Sequence, residues 1–165
     1  MKTVFKISDQ EAKDRLIELD GAVVSHVWRG HGSALFLEMG QLEENPKGNN
    51  PNGEQTVMIE WSWRVEGKNS IIAGSWSENE EIEKVPDLVK GKVIEKIDFF
   101  GRLPELNIKF GGALWLLSFM TEEGDPEWSI KLKSGEWLGV SNGSFQIEKS
   151  TQPRNSMDSA NCLRS

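Results

Sequence analysis

Tyrosine is absent from this chain, cysteine occurs once and histidine only twice. The single Cys162 closes no internal disulfide, so the sequence describes a fold held by its own core in a reducing compartment. Two histidines, His26 and His31, fall short of the three or four ligands a metal site gathers. The longest apolar run, residues 113–117, is far below the ~20 residues that cross a bilayer. The first ten residues reach Lys6 and Asp9 without the apolar stretch of a secretory leader. No phosphate-cradling Gly-x-x-x-x-Gly-Lys-Ser/Thr occurs, nor a dinucleotide fingerprint, nor basic patches interleaved with aromatics. These absences predict a cytoplasmic protein with no cofactor, no nucleic-acid partner and no membrane partner.

Acid is in excess: 26 acidic against 19 basic residues give a formal charge of −7. Three basic groups and one acidic group lie from Lys149 onward, so the body up to Glu148 carries −9. A negative field speeds encounter with basic partners and opposes approach to phosphate, although acidity also serves solubility alone. The 165 residues suit one domain with a core large enough to dispense with staples. The expected organisation is a single β-rich domain over residues 1–149 and a flexible polar tail over residues 150–165.

Alternation is the main local signal. From Thr56 to Glu66, Val57, Ile59, Trp61, Trp63 and Val65 share one face, which predicts one continuous half-buried strand. The same rhythm returns at Leu106, Ile108 and Phe110, at Trp128, Ile130 and Leu132, and at Phe145 and Ile147. Strands are also predicted over residues 22–28, 34–39, 71–76, 92–100, 113–120 and 136–140, with reversals at Arg29–Ser33, Glu66–Asn69 and Asn142-Gly143. One short helix is predicted near the N-terminus: Ser8 and Glu11 have capping-box spacing, Ala12, Leu16 and Leu19 form its apolar stripe, and Asp20-Gly21 stops it. Residues 43–55 contain nothing apolar and read as a long mobile excursion. Residues 77–84 read as a solvated helical turn or acidic loop that Pro86 ends. No fixed-period repeat of propeller or solenoid type is present. The predicted class is mostly β, α+β with one short N-terminal helix, an antiparallel meander forming a β-sandwich or a rolled half-barrel.

Chemistry is sparsely signalled. Gly139-Val-Ser141-Asn-Gly143 matches a nucleophile elbow, but the segment after it alternates as a strand and both histidines precede the serine, so it reads as a turn. His26, among Val24, Val27 and Trp28, reads as a hydrogen-bonded histidine near the core, and His31 as a solvated hairpin tip. The carboxylate pairs Glu43-Glu44, Glu80-Glu81 and Glu122-Glu123 with Asp125 are loop neighbours, not carboxyls opposed across a cleft. Trp61, Trp63 and Trp128 read as core. Trp28, Trp76 and Trp137 are harder to hide, and large aromatics at loop edges anchor protein interfaces.

The series Leu88-x-x-Gly91-Lys92-x-Ile94-x-x-Ile97, then Pro104-Glu105-Leu106-x-Ile108-x-Phe110, Trp128-x-Ile130-x-Leu132 and Phe145-x-Ile147-Glu148 resembles small uncharacterised bacterial β-rich domains, some similar to immunity proteins encoded beside toxins. The resemblance implies a non-catalytic protein that binds another protein, and it transfers no site residues. Charge leads the same way, since an acidic patch can replace phosphates on a basic toxin or defence effector. The sequence therefore predicts a non-enzymatic inhibitor, of immunity type or directed against a host defence, with Trp76, Glu78, Glu80, Glu81, Glu83, Trp28 and Trp137 as partner-binding residues. Two alternatives stand beside it: a small β-barrel enclosing an apolar molecule among Trp61, Trp63, Trp115 and Phe119, and a hydrolase using His26 or His31 with a carboxylate.

Overall fold

The structure is a computed structural model in which residues 1–123 and 127–150 are described. In chain order the elements are β1 (Lys2–Lys6), α1 (Asp9–Leu16) with a 3₁₀ turn (Ile17–Leu19), β2 (Val24–Arg29), β3 (Leu35–Met39), β4 (Gln55–Ile59), β5 (Trp63–Glu66), β6 (Ile71–Gly74), α2 (Asn79–Val89), β7 (Ile94–Phe100), β8 (Glu105–Phe110), β9 (Leu114–Ser118), β10 (Trp128–Lys131), β11 (Trp137–Ser141) and β12 (Ser144–Ser150). A seven-stranded antiparallel sheet has the order β1-β12-β11-β10-β4-β3-β2, and a five-stranded one the order β6-β5-β9-β8-β7. One core lies between them, with Leu37, Val57, Ile130 and Leu138 from the first sheet and Val65, Ile108 and Leu116 from the second. The mostly β, α+β expectation holds, and the layers form a sandwich.

The helix at the N-terminus forms where the capping residues place it. Ser8 Oγ accepts from the Glu11 amide at 3.1 Å, and Ala12, Leu16 and Leu19 are buried. Asn142 and Gly143 both have positive φ, 50° and 72°, the backbone of a two-residue hairpin turn. The Gly-x-Ser-x-Gly match is thus the β11–β12 hairpin.

Three expectations are corrected. The run 56–66 is not one strand: it leaves the seven-stranded sheet after Ile59 and enters the five-stranded sheet at Trp63. Alternation survives the crossing because both sheets face the same core, so Val57, Ile59, Trp63 and Val65 are all buried while Trp61, at the crossing, is only half-buried. A second helix, α2, covers residues 79–89, and Pro86 lies inside it. Ile82, Val85 and Val89 form its buried stripe, and this burial outweighs the ~3 kcal/mol that proline costs a helix interior. The segment 43–55 is pinned down as well. Glu43 and Asn52 exchange main-chain bonds at 2.8 and 2.9 Å, and Gly53 passes so close to β3 that a Cβ there would lie 2.5 Å from Met39 O.

The chain is built twice. The order α1-β2-β3-β4-β5-β6 recurs as α2-β7-β8-β9-β10-β11. Each series forms a three-stranded meander in one sheet and sends its next hairpin across to pair with the other's third strand, β5 on β9 and β10 on β4. The registers match residue for residue: Trp63 faces Ser118 as Trp128 faces Ile59, and Glu66 faces Trp115 as Lys131 faces Thr56. Even the bulge in β2, between Val24 and His26, recurs in β7 between Ile94 and Lys96.

The two halves meet at equivalent residues. Gly21 N–H donates to Ile94 O at 2.7 Å and Gly91 N–H to Val24 O at 2.7 Å, while Ile94 N–H donates to Ala22 O and Val24 N–H to Lys92 O. Val23 and Val93 thus bridge one another on a pseudo-two-fold axis. The two fully buried indoles are counterparts too: Trp63 Nε1–H donates to Ser33 O at 2.6 Å and Trp128 Nε1–H to Pro104 O at 3.1 Å.

Trp63→Phe and Trp128→Phe each remove an indole hydrogen bond and leave a void, at a cost of about 1–3 kcal/mol. Urea unfolding should show two similar losses; a loss confined to one variant would refute their equivalence.

Candidate functional site

The strand β6 ends at Gly74, where the chain turns into α2. The turn is closed by Gly74 N–H donating to Ser77 Oγ at 2.9 Å and Ser77 N–H donating to Gly74 O at 3.0 Å. Trp76 sits at its tip with 80% of its surface exposed. The next residues begin the helix, whose Ile82, Val85 and Val89 face the core. Glu78, Glu80, Glu81 and Glu83 are consequently left exposed. Acidic groups near a helix N-terminus are favoured by its positive end. Glu81 also pairs with Lys84 at 2.9 Å, both exposed, a contact that adds little stability.

This helix start is tied to the other sheet. Arg29, at the end of β2, places both terminal nitrogens 3.1 Å from Asn79 Oδ1 and its Nε 2.6 Å from Gly32 O. Beside Trp76 a shallow hollow of about 290 Å³ is lined by Arg64, Ile71, Ser75 and Phe119 among others. The Arg64 guanidinium lies 5.8 Å from the Phe119 ring centre and reaches Glu66 at 3.3 Å. Its Nε is buried without a hydrogen-bond partner. Ile71 and Ile72 continue the apolar surface, 60% and 43% exposed. Sequence reasoning missed these two: the bulge between Val65 and Glu66 in the β5–β6 pairing leaves both outside the core, and alternation alone would bury one of them.

The fold therefore brings together Trp76, Glu78, Glu80, Glu81 and Glu83. Trp28 and Trp137 lie on the seven-stranded sheet, each with its own partners. Trp28 is stacked on Phe36, 3.9 Å between ring centres and 7° from parallel, and donates to Glu38 Oε1 at 3.2 Å. Trp137 stands on β11 between Lys131 and Glu148, half-buried.

Of the two histidines named for chemistry, one is engaged in structure. His26 Nε2 is 2.9 Å from Asn50 Oδ1, which ties the loop to β2, and His31 is exposed. Glu38, opposite His26 and only 1% exposed, accepts from Gly53 N–H at 2.9 Å and Thr56 Oγ–H at 2.5 Å besides Trp28. Three donors compensate its desolvation. Trp61, Trp63, Trp115 and Phe119 do not share one cavity: Trp63 and Phe119 border the shallow hollow beside Trp76, whereas Trp115 lies between buried Leu114 and Leu116 and faces outward. Among the described residues no group of three or more His, Cys, Asp or Glu could hold a metal, and no helix is long and apolar enough to cross a membrane. Asp125 and Cys162 lie outside the described residues.

Comparison with models of known protein families, with curated proteins and with solved structures found no match to this chain.

Two carboxylates carry opposite pH signatures. Burial pushes Glu127 above the ordinary carboxyl value, and the nearby Glu105 and Glu123 charges add to it. Glu127 thus favours folding when neutral, below its unfolded value, and that contribution is lost as pH rises through the folded value. Glu136 is held below the ordinary value by its Lys149 hydrogen bond and by Arg15, at 2.9 and 2.6 Å. Its contribution is present at neutral pH and lost as pH falls through the depressed value. Thermal melts should therefore show Glu127→Gln raising Tm at pH 7 and Glu136→Gln lowering it. The Glu127 difference should shrink as pH falls through that group's raised value and be gone by about pH 4, the ordinary carboxyl value, whereas the Glu136 difference should shrink only below about pH 4; differences that persist unchanged at still lower pH would refute the assignment.

Proposed function

We propose that this chain is a non-enzymatic binding module, an inhibitor of immunity type or one directed against a host defence, that docks on a basic protein through Trp76 and the acidic start of α2. The observation that carries the reading is an indole projecting into solvent beside four exposed glutamates on a helix tied to both sheets. A large rigid aromatic contributes contact area at low entropic cost, and central Trp residues are frequent hot spots. The glutamates steer a cationic surface inward and raise the association rate. The sandwich below supplies a platform that need not reorganise on binding.

The partner is to be captured from the source cells at low salt and binding measured with purified components. Trp76→Ala should weaken binding at least tenfold, mostly through faster dissociation. Replacing Glu78, Glu80, Glu81 and Glu83 by Gln should slow association and flatten its salt dependence. All five side chains are exposed, so melting temperatures should move little. A partner that binds both variants like the wild type would refute the proposal.

A further inference from the structure

The pseudo-two-fold axis allows each edge of one half to be compared with its counterpart. In the second half, β11 is not an edge: β12 pairs along its outer side, with Trp137 facing Glu148, Leu138 facing Ile147 and Gly139 facing Gln146. The counterpart of β11 is β6, since Ala73 pairs with Val65 as Leu138 pairs with Ile130, and Gly74 with Arg64 as Gly139 with Ser129. Beyond β6 there is no further strand among the described residues. Among the described residues no strand fills the place in the first half that β12 fills in the second.

Edge strands are usually protected by charge, proline or cover. The other outer strands here follow that rule. β1 carries Lys2 and Lys6, β7 carries Glu95, Lys96 and Asp98, and β2 is bonded at Val24 to Gly91 and Lys92, just ahead of β7. β6 reads Ile-Ile-Ala-Gly and carries no charge. Its Gly74 end is closed by Ser77, which confines the opening to the Ile71–Ala73 side.

Resting on the proposed function, we infer that β6 is the register element of the partner site: it accepts an extended, basic segment of the partner as a sixth strand. The added strand would occupy the position that β12 occupies beside β11, with aliphatic side chains against Ile72 and Trp76 and basic ones toward Glu78, Glu80, Glu81 and Glu83. Main-chain bonds supply affinity in this mode and side-chain contacts supply selection. A second copy of this chain is disfavoured as occupant, because it would bring two acidic helix starts toward each other within a molecule of charge −7.

The test uses the full chain and three labelled eight-residue peptides: alternating Lys-Val, the same peptide methylated on every backbone nitrogen, and alternating Glu-Val. Binding is read by anisotropy, and amide exchange by NMR. The inference expects the Lys-Val peptide to bind, to slow exchange at β6, and to lose at least tenfold in affinity on methylation or in Ile72→Lys. Equal binding of methylated and unmethylated Lys-Val peptides would overturn strand addition and leave the acidic recognition standing. Equal binding of Glu-Val and Lys-Val with protection at β6 would overturn the basic-partner reading and leave the open edge standing. Protection at β1 instead, absence of binding, or a dimer of the free chain abolished by Ile72→Lys would overturn the inference.

Discussion

The main-chain bonds exchanged between Gly21–Val24 and Gly91–Ile94 hold the architecture together. They join the two sheets at β2 and β7 and place Val23 and Val93 on the axis that relates the halves. Four backbone groups that would otherwise need water are satisfied where the chain leaves each helical segment and starts each meander. Each helical segment then lies against the other half: α2 packs on β2, and α1 with its 3₁₀ turn on β7. The crossings of β5 and β10 complete the interlock, and the core they enclose belongs to both halves at once.

Within so regular a frame, the departures from symmetry carry information. The turn between β3 and β4 is a long loop fastened by Glu38, His26–Asn50 and Gly53, whereas its counterpart between β8 and β9 is a tight reversal at Gly111–Ala113 with positive φ at Gly112 and Ala113. After β11 the chain continues into β12, while after β6 it turns at once into α2. That second difference creates the exposed corner at which Trp76, two isoleucines and four glutamates collect. A symmetric protein would have covered it. The same difference explains why the acidic residues form a surface: the helix stripe that faces the core leaves its glutamates outward.

Much of the fold was legible locally. Ser8 and Glu11 announced α1, Asn142-Gly143 announced the last hairpin, and the alternating runs from Leu106 onward fell on strands with the expected faces buried. The errors share a cause. Pro86 and the surrounding glutamates hid α2, although Ile82, Val85 and Val89 already had helical spacing. The run 56–66 looked continuous because a two-residue period reports which side faces the core and is blind to a change of sheet. The loop 43–55 looked mobile because its contacts are main-chain and carboxylate bonds to distant residues, and these leave no apolar signature. The duplication itself escaped notice because equivalent positions share burial and geometry more than residue type, as His26 and Lys96, or Trp28 and Asp98, make plain.

The amino-acid order alone determined the class of structure and the excess of acid, and it marked Trp28, Trp76 and Trp137 as hard to hide without separating them, because alternation and charge are local properties. Only the tertiary structure decided that Trp76, the α2 glutamates and Ile71–Ile72 share one corner while Trp28 and Trp137 stand on the opposite sheet. That outcome depends on which strands pair across the two-fold axis and where a bulge shifts the register. Both are set by contacts between residues far apart in the chain, which no local pattern encodes.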